Sequence, residues 1–126
     1  EKWWPAEDMA NFRKLKEKID AHLERENVNA KLTDGEFMAD LTGIKVALSV
    51  LGQNADRKAF FASWARMWRI RMTEASALER KLTDQHLVGA VRANTPLRNL
   101  KEFLDAFGVQ EGDGMWLPEE ERVSVF

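Results

Sequence analysis

The chain has 126 residues, 44% of them apolar and 32% charged, with no cysteine and a formal net charge of −2. That length holds at most one domain with a real core, and the balance is that of folded chains. Disulfides, thiolate metal sites and a cysteine nucleophile are excluded, no apolar run approaches the ~18 residues of a membrane span, and the charge leaves no basic footprint for nucleic acid.

The first element opens at Trp3-Trp4-Pro5-Ala6-Glu7-Asp8, with Pro5 in the first turn and two acids at the positive end. Phe12, Leu15, Ile19 and Leu23 then follow at helical spacing, which predicts an amphipathic helix to about Glu26. His22 reads as a plain surface or core-edge histidine, and the Trp pair as packing. Asn27 to Thr33 reads as a connection. Thr33 or Asp34 can cap a second helix from about Gly35 to Leu51, stopped by Gly52.

That second helix carries Glu36 and Asp40, four residues apart and on one face. Phe37, Met38, Leu41, Ile44 and Leu48 leave it no wide polar face, so it should be buried. A buried carboxylate has to be paired, hydrogen-bonded, protonated or bound to a metal. Two readings follow from the residues alone. Glu36 ligates a metal and Asp40 orients a neighbouring ligand, or Glu36 suits a helix start and Asp40 pairs with an arginine.

Asp56 is a candidate cap for a third helix, Arg57 to about Met72, with Phe60, Phe61, Trp64, Met67 and Trp68 on its apolar face. Helix resumes from Glu74 to Lys81 after a bend at Thr73. Asp84-Gln85-His86 opens a polar knot, followed by Arg92 and Asn94, and Pro96 ends that segment. Leu97, Leu100, Phe103, Leu104 and Phe107 predict a last helix closed by Gly108. Val123, Val125 and Phe126 read as an extended end tucked into the core. The expected class is mainly α. Five Trp and seven Phe are a heavy aromatic load, which points to an aromatic core or to a surface made for another polypeptide.

Several landmarks follow one another in a specific order: Leu32-Thr33-x-Gly35-Glu36-x-x-Ala39-Asp40-Leu41-x-Gly43, Phe60-Phe61…Trp64-Ala65…Trp68, Asp84-x-His86, Arg92-x-Asn94, Asn99-x-x-x-Phe103-x-x-Ala106-Phe107 and Gly112-Asp113-x-Met115. Taken together the run resembles the C-terminal part of neprilysin-like zinc metallopeptidases, the family that also holds endothelin-converting enzymes and bacterial oligopeptidases. The resemblance implies that residues 1–126 are one unit, the helical C-terminal portion of a zincin-type catalytic domain. It implies Glu36 as the third zinc ligand after two histidines of an HExxH helix. Asp40 would orient one of those histidines, and His86 would donate to the tetrahedral intermediate. Arg92 would grip a substrate carbonyl, and Met67 and Trp68 would line the pocket for the residue after the scissile bond. The implied reaction is peptide hydrolysis on the amino side of hydrophobic residues by zinc-activated water.

The family's Asn after the ligand Glu is Phe37 here, its Ser-Pro after the histidine is Leu87-Val88, and an aromatic before the arginine is Val91. No HExxH is present, and His22 and His86 are the chain's two histidines. The chain also starts on Glu1 and not Met. The expectation is therefore a zinc site shared with a companion polypeptide that brings HExxH, in a bacterial cytoplasmic, secreted or periplasmic setting, with this chain inactive alone. Two other readings stay open: a non-catalytic binding or regulatory relative, and a helical interaction domain.

Overall fold

A computed structural model describes residues 3–125. Its elements in chain order are α1 (Ala6–Arg25), α2 (Ala30–Ser49), α3 (Arg57–Met67), α4 (Glu74–Thr83), α5 (Gly89–Asn94) and α6 (Lys101–Phe107), with single 3-10 turns at Leu97–Asn99 and Glu119–Glu121. No β-strand occurs among the described residues. The mainly helical class is as expected.

α1 and α2 form an antiparallel hairpin. α1 ends in a Schellman motif: the Val28 N–H donates to the Leu23 carbonyl (3.3 Å) and the Asn27 N–H to that of Glu24 (3.0 Å). Asn27 carries the positive φ of 55° that the motif requires, a conformation Asn tolerates better than most residues. α2 then begins at Ala30, earlier than the sequence suggested. Thr33 is not a cap but sits inside the helix, buried, with its hydroxyl donating to the Asn29 carbonyl at 3.0 Å. Gly35 lies inside the helix as well, and burial of Thr33, Phe37, Leu41 and Ile44 along one face outweighs its propensity cost of about 1 kcal/mol. Across the hairpin, Phe37 stacks on the buried His22 (centroids 6.3 Å apart) beside Ile19 and Leu23.

α3 starts where expected, Asp56 accepting from the Ala59 N–H at 2.9 Å. It stops at Met67, five residues short of the expected end, and Thr73 caps α4 by accepting from the Ser76 N–H. The expected last helix is likewise split. The Asn99 side chain donates to the Thr95 carbonyl (2.9 Å) and accepts from the Val123 N–H (2.8 Å), and Leu100 goes extended before α6. Those two buried bonds compete with a continuous helix. Gly108, at φ 66°, closes α6 in a second Schellman motif, with the Val109 N–H on the Leu104 carbonyl at 2.9 Å.

The core joins both halves: Phe61 of α3 meets Phe103 of α6 edge-to-face at 5.3 Å, with Val91, Leu97, Leu100 and Leu104 around them. Val123 is buried there, as the tail reading expected, while Phe126 lies outside the described residues. The Trp pair packs as expected: Trp3 meets Trp4 edge-to-face at 5.4 Å and Trp4 meets Phe12 at 5.3 Å, although Trp3 stays 83% exposed.

Candidate functional site

α2 presents Glu36 and Asp40 one turn apart, and α5 brings Arg92 across to both. The guanidinium donates to Asp40 in a bidentate fork, Nε to Oδ2 at 2.8 Å and Nη2 to Oδ1 at 2.6 Å. Its Nη1 pairs with the Glu36 carboxylate. The side chains of Asp40, Arg92 and Glu36 are 6%, 17% and 22% exposed, so the triad is largely desolvated and opens to solvent on the Glu36 side. Burial pushes the Asp40 carboxyl above its usual range, the bonds and charge of Arg92 pull it back, and the neighbouring Glu36 charge pushes it further up.

Arg92 is itself framed by α3. The Trp68 ring covers the guanidinium, with Cζ 3.6 Å from the ring centroid, a cation–π contact. The Trp64 indole N–H donates to the Arg92 carbonyl at 3.0 Å. α5 comes this close because Gly89 lies against the Trp68 carbonyl, where an added Cβ would stand only 2.4 Å from that oxygen.

His86 stands apart from the triad in its bonding. It is exposed on the loop before α5, and the Asp84 carboxylate accepts from both its backbone N–H (2.9 Å) and its Nδ1 (3.0 Å). Arg80 adds a third bond, Nε to Asp84 Oδ2 at 3.0 Å, and these donors hold the Asp84 carboxyl down to about 2. With Nδ1 engaged, Nε2 is the ring nitrogen left to face a ligand. Met67 is 64% exposed at the mouth of an apolar hollow of about 300 Å³ between α2 and α3, shared with Gly43, Ile44, Ala47, Phe60 and Trp64.

The structure thus unites Glu36, Asp40, Arg92 and Trp68, sets Met67 beside the hollow, and gives His86 its own carboxylate partner. The sequence placed Trp64 only on the apolar face of the third helix, gave Gly89 no role, and left Asp84 as part of a polar knot. The Asp-x-His spacing was a usable signal for Asp84, since an aspartate readily bonds the backbone N–H two residues on. The hydrophobic departures are all buried. Phe37 faces α1, and Leu87, Val88 and Val91 anchor α5 in the core.

A catalytic zinc needs three protein ligands. Among the described residues no three His, Cys, Asp or Glu side chains converge. His22 is committed to the Glu121 carbonyl at 3.0 Å and His86 to Asp84. The described residues of this stretch do not complete a metal site.

Comparison with known proteins gives a match to the model of peptidase family M13 over residues 1–123. The chain is 34% identical over 132 residues to a neutral endopeptidase of Lactococcus lactis subsp. cremoris, covering 99% of this chain and 21% of that protein. A neutral endopeptidase of Lactobacillus helveticus is 31% identical over 130 residues, covering 98% and 20%. Neprilysin-11 of Caenorhabditis elegans is 32% identical over 96 residues, covering 64% and 11%. The chain spans about a fifth of the length of the bacterial relatives it matches. No solved structure matches it.

Proposed function

The chain belongs to peptidase family M13, and on that premise we propose that it forms the Glu36 side of a zinc endopeptidase site that cleaves peptides before hydrophobic residues. The observation that carries the reading is the partly open Glu36–Asp40–Arg92 triad, flanked by Trp68 and by the apolar hollow at Met67. Glu36 would be the third zinc ligand, and the two imidazoles come from polypeptide outside these residues, a companion chain or another part of the same protein. Bound zinc supplies a Lewis acid and an activated water.

The remaining work falls to this chain's own groups. Asp40, nearly buried, fixes Arg92 from one side, and in the assembled site it would also orient an incoming histidine. Arg92 engages three of its five N–H donors with the two carboxylates, so two remain to grip a peptide carbonyl. His86, held through Nδ1 by Asp84, would offer Nε2 to the oxyanion. Met67 and Trp68 would receive the hydrophobic side chain after the scissile bond, with the hollow behind Met67 extending that surface.

The test is peptide cleavage by the protein that carries this stretch together with an HExxH segment. Glu36→Gln should abolish hydrolysis while the helical content stays at the wild-type level. Cleavage that persists in this variant would sink the assignment of Glu36.

A second reading, a non-catalytic binding or regulatory relative, is favoured by Arg92 already pairing with both carboxylates. It predicts peptide or partner binding with no turnover in the wild-type assembly, and binding unchanged by Glu36→Gln.

A further inference from the structure

Pro96 creates a deficit at Arg92. Backbone geometry stays helical past the end of α5, through Thr95 (φ −65°, ψ −41°) and Pro96 (φ −62°, ψ −38°). In such a run each carbonyl accepts from the N–H four residues on, as that of Val91 does from Thr95 at 2.9 Å. The Arg92 carbonyl would accept from residue 96, but proline has no N–H and its ring crowds the carbonyl four residues back. A carbonyl in a half-buried setting left without a donor is costly.

We propose that Trp64 is a positioning residue for Arg92, its indole N–H standing in for the backbone donor that Pro96 cannot supply. The bond spans 28 residues and closes at 3.0 Å. One helical turn further on, Trp68 covers the guanidinium of the same arginine, and the two indoles meet edge-to-face with centroids 5.6 Å apart. α3 and its C-cap residue therefore hold Arg92 at both ends, the main-chain oxygen by Trp64 and the charged head by Trp68. Phenylalanine at 64 would fill much of the same space, but the end of α5 would then be free to turn and swing the guanidinium off Glu36 and Asp40.

The consequence for turnover rests on the peptidase reading; the holding of Arg92 does not. The experiment compares wild type, Trp64→Phe, and Trp64→Phe combined with Pro96→Ala, in the full protein. Alanine at 96 restores a backbone N–H aimed at the Arg92 carbonyl. Two quantities are read: the rate of phenylglyoxal labelling at Arg92, by peptide mass spectrometry, and kcat and KM for a peptide substrate. Trp64→Phe should speed Arg92 labelling and raise KM, each about five-fold, the worth of one hydrogen bond, with kcat changed less than about two-fold. The double variant should return both toward wild type.

Wild-type labelling and KM in Trp64→Phe, or no recovery in the double variant, would overturn the proposal. If Trp64→Phe does not fold, a folded double variant with wild-type labelling supports it and an unfolded one refutes it. If the wild-type protein cleaves no peptide, the peptidase reading falls and labelling alone decides the role of Trp64.

Discussion

Gly89→Ala isolates the closest backbone approach at the site. Gly89 does not have a positive φ, so alanine meets no conformational penalty there and the cost is purely steric. The new Cβ would stand 2.4 Å from the Trp68 carbonyl oxygen and must retreat to at least 3.0 Å, an opening of 0.6 Å or more. The oxygen is poorly placed to yield, because it accepts from the Ile70 N–H at 2.8 Å and belongs to the residue that covers Arg92. Overpacking of this kind costs about 1–3 kcal/mol. Alanine recovers at most about 1 kcal/mol in a helix, and less at a first helical position. The expected net loss is about 1–2 kcal/mol, read as a lower urea midpoint at unchanged m-value. Gly43→Ala is the matched control: it is helical, exposed, with nothing within 4 Å of its added Cβ, and should gain about 0.5–1 kcal/mol. If Gly89→Ala is neutral or stabilising while Gly43→Ala behaves as expected, the close packing of α5 on α3 is wrong.

Arg92→Met should cost about 3–5 kcal/mol in urea denaturation, because it strands the nearly buried Asp40 carboxylate; adding Asp40→Asn should recover a large part of that loss. His22 gives a pH signature. Burial holds its pKa below the usual 6.5, Arg25 and Arg98 add to the effect, and the Glu121 carbonyl and carboxylate oppose it. The unfolded chain then takes up the proton first on acidification. The His22 contribution is whole above pH 6.5 and is lost as pH falls through the lowered folded value, so stability rises with pH across that window. His22→Gln should flatten that slope in a series of urea melts, and an unchanged slope would contradict the assignment.

Much of the fold could be read from side-chain periodicity and stop signals. Phe37, Leu41 and Ile44 marked the buried face of α2, Asp56 marked the start of α3, and Gly108 the end of α6. The misplaced boundaries have tertiary causes. α2 extends back through Thr33 and Gly35 because packing on α1 overrides their local preferences, and Leu100 leaves the helix because the Asn99 side chain is claimed by the tail. At the site, the i,i+4 spacing of Glu36 and Asp40 was legible, and so was the option of an arginine partner. That the partner is Arg92, 52 residues beyond Asp40, was not. Local patterns carry no such pairing, and the Trp64 bond to a main-chain oxygen leaves no trace in residue type beyond a tryptophan among other aromatics.

In the proposed function Glu36 is a metal ligand completed by imidazoles from outside this stretch. Metal analysis of the purified, dialysed protein that contains both the HExxH segment and these residues tests it most directly. Wild type should retain about one zinc per site, and Glu36→Gln should lose most of it with its helical circular dichroism intact. Equal zinc in the two proteins would contradict the account and leave Glu36 as no more than the partner of Arg92.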